Sequence, residues 1–253
     1  MTTIKSYLRY PLLSVPISLL GLYRRAVFSL ILAALVIVLL EQFTNIDLMI
    51  EDYYYSPELK TFIWKNTWFA KEFMHVYVKD FITAGAVSLI FLLLLDGFIT
   101  FSWLDHLSRF RLRFIASASI IIPFVISTLK HQSMLHCPWD IKRYGGDAPF
   151  VRLFNHVPMG MDAGHCFPAG HASAGLWLAA VCVFWLPNHP KTALKMFFAG
   201  LSVGFLLGWV QQMRGAHFLS HTLWSTWIAS LIIVVMLIST HFLINQKNNL
   251  CRT

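Results

Sequence analysis

Charged residues are scarce in this chain. Of its 253 residues, 13% are Asp, Glu, Lys or Arg, where a soluble domain carries about 25%. So few charges cannot cover a surface that faces water, whereas a surface that faces lipid needs none. With 57% hydrophobic residues and a mean hydropathy of +0.62, the composition is that of a membrane protein. Cysteine is also sparse. Cys137, Cys166, Cys182 and Cys251 include no CxxC pair and lack the spacing of a zinc site. No cleavable signal peptide is expected either: the first long apolar run follows Arg24 and Arg25 and leads after Leu40 into an acidic segment without a small-residue cleavage site. That run is expected to stay as a membrane helix. Nor is there a basic patch. The formal charge of +8 is dispersed between apolar runs, which argues against nucleic acid as a partner and makes the positive residues a topology signal.

What the chain does have is apolar length. Crossing a bilayer takes about 20 mainly apolar residues, and six stretches qualify: Ala26–Leu40, Phe81–Trp103, Phe114–Leu129, His171–Leu186, Met196–Met213 and Thr222–Ile244. The first, third and fourth are short and need flanking residues to complete them. The expected fold is therefore all-α, a polytopic membrane bundle of about six transmembrane helices forming a single domain over residues 1–253. Pro11 and Pro16 interrupt Tyr10–Tyr23, so residues 1–25 read as an interfacial N-terminal segment. If six helices alternate, one side receives Lys5, Arg9, Arg24, Arg25, Arg109, Arg111, Arg113, Lys191, Lys195, Lys247 and Arg252. The positive-inside rule puts that side and both termini in the cytoplasm. Residues 41–80, residues 130–170 and the turn around Arg214 then lie outside. Tyr53–Tyr55, Trp64 and Trp68 look like an interfacial aromatic belt, and Asp96 is expected near an interface, facing protein.

The outer side collects the chemistry. Residues 130–170 are long, polar and rich in His, Pro and Gly, as functional loops often are. Three clusters stand out: Lys130 to Asp140 with Lys142, Arg143 and Tyr144; His165-Cys166-Phe167-Pro168-Ala169-Gly170-His171, opening into an apolar helix; and Arg214-Gly215-Ala216-His217-Phe218-Leu219-Ser220-His221, opening the last one. The first amides of a helix have no internal partner and, with the helix dipole, attract an anion. Gly170 allows an oxyanion close to that backbone. His171 beside it can carry a proton near neutral pH. Arg214 supplies a permanent cation about one turn from His217, with His221 one turn further. Cations, an amide nest and two imidazoles suit phosphoryl transfer, one His attacking and the other protonating the leaving oxygen.

These stretches resemble the type 2 phosphatidic acid phosphatase and haloperoxidase superfamily, in its membrane lipid phosphatase branch. The family pattern is Lys, six residues, Arg-Pro; then Pro-Ser-Gly-His; then Ser-Arg, five residues, His, three residues, Asp. Lys130 and Pro138 match the first motif, Pro168, Gly170 and His171 the second, and His217 the third. Four positions depart from it: Cys137 for Arg, Ala169 for Ser, Gln211 for Arg and His221 for Asp. The resemblance implies an enzyme that hydrolyses a lipid phosphate or diphosphate at the outer membrane face without a metal or other cofactor. His217 would form a phosphohistidine and His171 would be the general acid. Lys130 and the backbone of Ala169 and Gly170 would hold phosphate oxygens. Arg214 and Arg143 would replace the missing arginines, and His221 would orient His217 in place of Asp. The expected setting is a bacterial inner membrane, with the bilayer and a lipid phosphate as partners.

Other readings of the same residues stand beside this one. A lipid phosphotransferase would use the same intermediate, and a non-catalytic lipid-binding or transport protein could descend from the family. Lys130 alone could be an interfacial anchor. His217 and His221 also have the i, i+4 spacing of a metal or haem pair, but the carboxylates near the clusters are limited to Asp140, Asp147 and Asp162. His131, His136, His156 and His165 read as loop residues without chemistry. Cys137 and Cys166 both fall on the outer side, where an oxidising compartment would permit a disulfide joining the first two motifs.

Overall fold

The apolar runs fold as helices, and they extend further than hydropathy alone indicates. The structure, a computed structural model, describes residues 17–250, with side chains described for residues 20–242. Its elements are α1 (Ile17–Phe43), α2 (Ile46–Tyr54), a two-stranded antiparallel hairpin of β1 (Tyr55–Ser56) and β2 (Thr61–Phe62), a π-helix (Phe69–Val78) running directly into α3 (Lys79–Ile99), α4 (His106–His131), α5 (Gly170–Leu176) continued by a 3-10 helix (Trp177–Trp185), α6 (Pro190–Met213) and α7 (Leu219–Leu250). The chain is an all-α membrane bundle.

Among the described residues, five helices are long and apolar enough to cross a membrane: Leu20–Phe43, Phe69–Ile99, His106–His131, Pro190–Met213 and Leu219–Phe242. Only 11% of the apolar window is buried in the first two, so their side chains, Phe28, Leu32, Phe91 and Phe98 among them, form a surface that water would not tolerate. The sixth expected span, Gly170–Trp185, is shorter. Its winding compensates. Seven α-helical and nine 3-10 residues reach roughly 28 Å at 1.5 and 2.0 Å per residue, close to the hydrocarbon thickness of about 30 Å.

That short helix is the centre of the bundle, with Leu176, Ala179 and Ala180 fully buried beside Ile122, Ile126 and Ile233. It can be central because α6 carries glycine on one stripe. A Cβ on Gly200 would lie 2.3 Å from Ala179 N, one on Gly204 2.5 Å from Leu176 Cγ, and one on Gly208 2.4 Å from Thr222 Cγ2 on α7. Without a hydrophobic drive between helices in lipid, such close backbone approach is what association rests on.

Two differences from expectation matter for function. The second span starts at Phe69, twelve residues before the expected Phe81. Lys71, Glu72, His75, Lys79 and Asp80 interrupt the apolar count there, although the backbone stays helical. Residues 41–80 are accordingly mostly regular structure rather than loop. The aromatic belt also divides: Tyr53 and Trp68 are exposed, whereas Tyr54 and Tyr55 pack with Phe62, Ile141, Tyr144 and Phe218 in a small core of their own. The expectation of an interfacial segment at residues 1–25 falls mainly outside the described residues, and from Ile17 onward the chain is already in α1.

The bundle has two distinct ends. At one, Asp96 organises the turn from α3 to α4: Oδ1 accepts from Phe101 N at 2.8 Å, and Arg109 donates to Oδ2 at 2.7 Å and to Oδ1 at 3.1 Å. Asp105 caps α4 through Ser108 N at 2.7 Å. Arg111 donates to Leu186 O, just past the end of the 3-10 helix. At the other end, Lys130 in the last turn of α4 lies against Gly170, the first residue of α5. That second end carries the expected site.

Candidate active site

Three turns converge on this end, each held by backbone or covalent bonds. Cys137 and Cys166 form a disulfide, the bond that the sequence permitted without requiring, with Cα atoms 5.2 Å apart. It ties the segment after Lys130 to the segment before His171. Ala169 N donates to His221 O at 3.2 Å, and Ser225 Oγ lies 3.0 Å from both Ala169 O and His221 O. The second and third motifs are thus stapled together across α5 and α7. Gly215, between α6 and α7, has φ +75°, and a Cβ there would meet the Phe62 ring at 2.3 Å, so only glycine fits this turn. Trp139 N donates to its carbonyl at 3.0 Å. From α2, Asp47 accepts from Ser220 N at 2.9 Å and Ser220 Oγ at 2.5 Å, capping the start of α7.

Within this frame His171 and His217 face one another with ring centroids 6.2 Å apart. A phosphate between them can touch both, since near-attack separations are about 3–3.5 Å. His217 is 2% exposed. Its Nδ1 is 3.5 Å from Cys166 Sγ, which leaves Nε2 as the nitrogen able to attack. Burial, followed by the neighbouring His221, Lys130 and His171, holds its pKa well below the usual histidine value, so the ring keeps the lone pair a nucleophile needs.

Charge is supplied by two cations that lack an anion. Lys130 and Arg214 make no ion pair among the described residues. Arg214 is 8% exposed and donates only to neutral acceptors, Gln211 Oε1 at 2.8 Å and Lys65 O at 3.2 Å. Burial pulls its pKa down, and Glu72 acts on it only from beyond ion-pair distance. A buried guanidinium without a carboxylate is costly unless an anion arrives. Because α5 begins at Gly170, the amides of its first turn lack intrahelical acceptors and add to that attraction.

Other expected residues have different positions. Arg143 is turned away: it forms a bidentate pair with Asp52 at 2.8 and 2.6 Å, at the rim of the aromatic core, and this holds Asp52 below the usual carboxylate range. Its nearness to the first motif in sequence does not bring it to the histidines. The Ala169 amide is engaged by His221 O and is not open to phosphate. His221 makes no hydrogen bond to His217; the rings are T-shaped at 5.9 Å, and its link to the site runs through its backbone carbonyl. Cys137, Cys166 and His217 bring potential metal donors within 4.8 Å of one another. The two sulfurs are bonded together, so neither is the thiolate that a metal requires.

One neighbour of the site was missed. His75, on the π-helix, lies against His171 with ring centroids 4.3 Å apart and planes tilted by 37°, and its Nδ1 lies 3.1 Å from Gln211 Oε1. The only hints were a histidine inside a run otherwise fit for a membrane and, as the structure adds, the wider π winding that often marks functional sites.

The comparisons bear on this assembly. The family model of the PAP2 superfamily matches residues 111–244, more than half of the chain. No curated protein and no solved structure matches. The matched segment holds Lys130, His171, Arg214, His217 and His221, and excludes His75. The chain belongs to the PAP2 superfamily.

Proposed function

From membership of a superfamily whose members are generally phosphatases, we propose that this protein is a metal-independent lipid phosphate or diphosphate phosphatase acting through a phosphohistidine. The observation that carries the proposal is the pair of facing histidines beside two cations without an anion, Lys130 and Arg214. The Nε2 lone pair of His217 attacks phosphorus. As the bond to the leaving oxygen breaks, its electron pair stays on that oxygen, which takes a proton from His171. Water then attacks the phosphohistidine and gives one proton to His171, while the P–N pair returns to His217. Lys130, Arg214 and the first-turn amides of α5 stabilise the charge that builds on the phosphoryl oxygens.

A lipid substrate is favoured because the site sits at the end of a bundle whose flanks are apolar and exposed. The positive-inside distribution supports an orientation with both termini in the cytoplasm and the site on the outer face of a bacterial inner membrane.

The test is phosphate release by purified protein from phosphatidic acid, phosphatidylglycerophosphate, polyprenyl diphosphate and lipid A phosphates, with and without chelator. Activity on at least one of them should persist in chelator. His217→Ala should lower it by about 10³-fold or more, and His171→Ala by about 10²–10⁴-fold. Unchanged turnover in both variants would sink the mechanism. Product appearing only when a lipid acceptor is added would reassign the protein as a transferase.

A further inference from the structure

We propose that His75, from outside the segment that the family match covers, is a positioning residue of this site that sets the orientation and protonation of His171. The inference rests on the phosphohistidine reading above. Its geometry is specific. Gln211 Oε1 is met by Arg214 Nη1 at 2.8 Å and by His75 Nδ1 at 3.1 Å. A guanidinium can only donate, so the Gln211 atom facing it is the carbonyl oxygen, and His75 Nδ1 at that same oxygen must carry a hydrogen. This fixes the neutral tautomer of His75 and leaves its Nε2 as the titrating nitrogen. The ring so held lies 4.3 Å from His171, tilted by 37°, and forms one wall against which His171 rests.

The two rings are close enough for a proton added to one to disfavour a proton added to the other, so His75 and His171 compete for a single added proton. The other charged and titratable groups that face the pair are Lys79, Asp80 and Arg214, with Lys130 and His217 beside His171, and Glu72, on the same helix as His75, acts on Arg214. Gln211 therefore has a defined task at the position where the family has Arg. It joins the phosphate-binding cation to the imidazole behind the general acid. His75 lies on the π-helix and meets His171 of α5 and Gln211 of α6.

The test compares pH–rate profiles of phosphate release for His75→Phe, His75→Gln and His217→Ala in the full-length protein. Removing a neighbour that competes for the proton makes His171 easier to protonate at every pH. Both His75 variants should therefore move the basic limb of the kcat profile upward by about half a pH unit or more. His75→Gln, which also loses the stacked ring, should lower kcat by about tenfold with KM little changed, and His75→Phe by less. An unmoved limb in both variants, or a loss confined to KM, overturns the proposal. If His217→Ala retains full activity, it is the phosphohistidine reading that fails, whatever the His75 variants do. Thermal unfolding of each variant separates a folding defect, which lowers the yield of active protein without moving the limb.

Discussion

Arg109 and Arg214 stand at opposite ends of the bundle, and each is largely closed off from water. Arg109 grips Asp96 through two nitrogens and also donates to Phe101 O at 2.6 Å. Arg214 reaches only a side-chain amide and a backbone carbonyl. The first cation is neutralised by the fold, and its contacts close the turn between two helices. The second has no carboxylate within ion-pair distance among the described residues, and its charge acts on His171. A folded chain can hold an uncompensated cation only where other contacts carry the cost, and such places bind anions. The contrast sets an arginine that the fold neutralises beside one that, on the function proposed above, is held ready for a phosphate.

The sharpest way to break this comparison is to neutralise both. Arg214→Gln should lower phosphate release by about 10²–10³-fold, with a melting temperature that stays level or rises because an unpaired buried charge is gone. Arg109→Gln should do the opposite. Asp96 is shielded at 4% exposure by its immediate neighbours, and stranding its carboxylate should lower the melting temperature and the yield while folded molecules keep their turnover. If the two outcomes are exchanged, the assignment is wrong.

A pH series sharpens the contrast from the side of the nucleophile. Burial holds His217 below the ordinary histidine value of about 6.5. The ring stays neutral as the pH falls through that value, so protonation of the nucleophile should not reduce activity until well below it. Stability carries the matching sign. The unfolded chain takes the proton first, so the contribution of His217 is fully present above about pH 6.5 and declines below it. An acid limb at or above 6.5 that moves further up when His221 is replaced would show that His217 titrates in the ordinary range.

The smallest expected effect concerns Arg143. Its ion pair with Asp52 is half exposed, at 52% and 40% of the two side chains, and such pairs contribute about 1 kcal/mol or less. Arg143→Ala should leave KM and kcat within about twofold of the parent. A large rise in KM would return Arg143 to the phosphate site.

The histidines, the lysine and the helix-start glycine were legible because their signals are local. Lys130, Gly170, His171 and His217 sit at fixed spacings next to apolar runs, and a helix end orients its first residues whatever packs around it. The disulfide was legible only as a possibility: Cys137 and Cys166 each adjoin a motif on the outer side, and the fold brought the two together. Arg143 was misassigned because sequence distance says nothing about direction. Six residues beyond Cys137, the chain has already turned through two short 3-10 segments toward α2. Ala169 failed for a different reason, since its amide met a carbonyl 52 positions away in sequence. His75 was invisible in a motif scan, because its partners lie 96 and 136 positions further along the chain.

By itself the sequence determined the membrane class, the number of apolar runs, and the residue types assembled at one end. These follow from composition and from spacing within a single helix or turn, and both act over a few residues. Tertiary structure decided which cation remains without an anion, which amides stay open and which imidazole lies against His171. Those are questions of who meets whom across helices. The glycine stripe of α6 and the winding of the fourth apolar helix bring the elements to contact distance, and burial then acts on whatever groups have met.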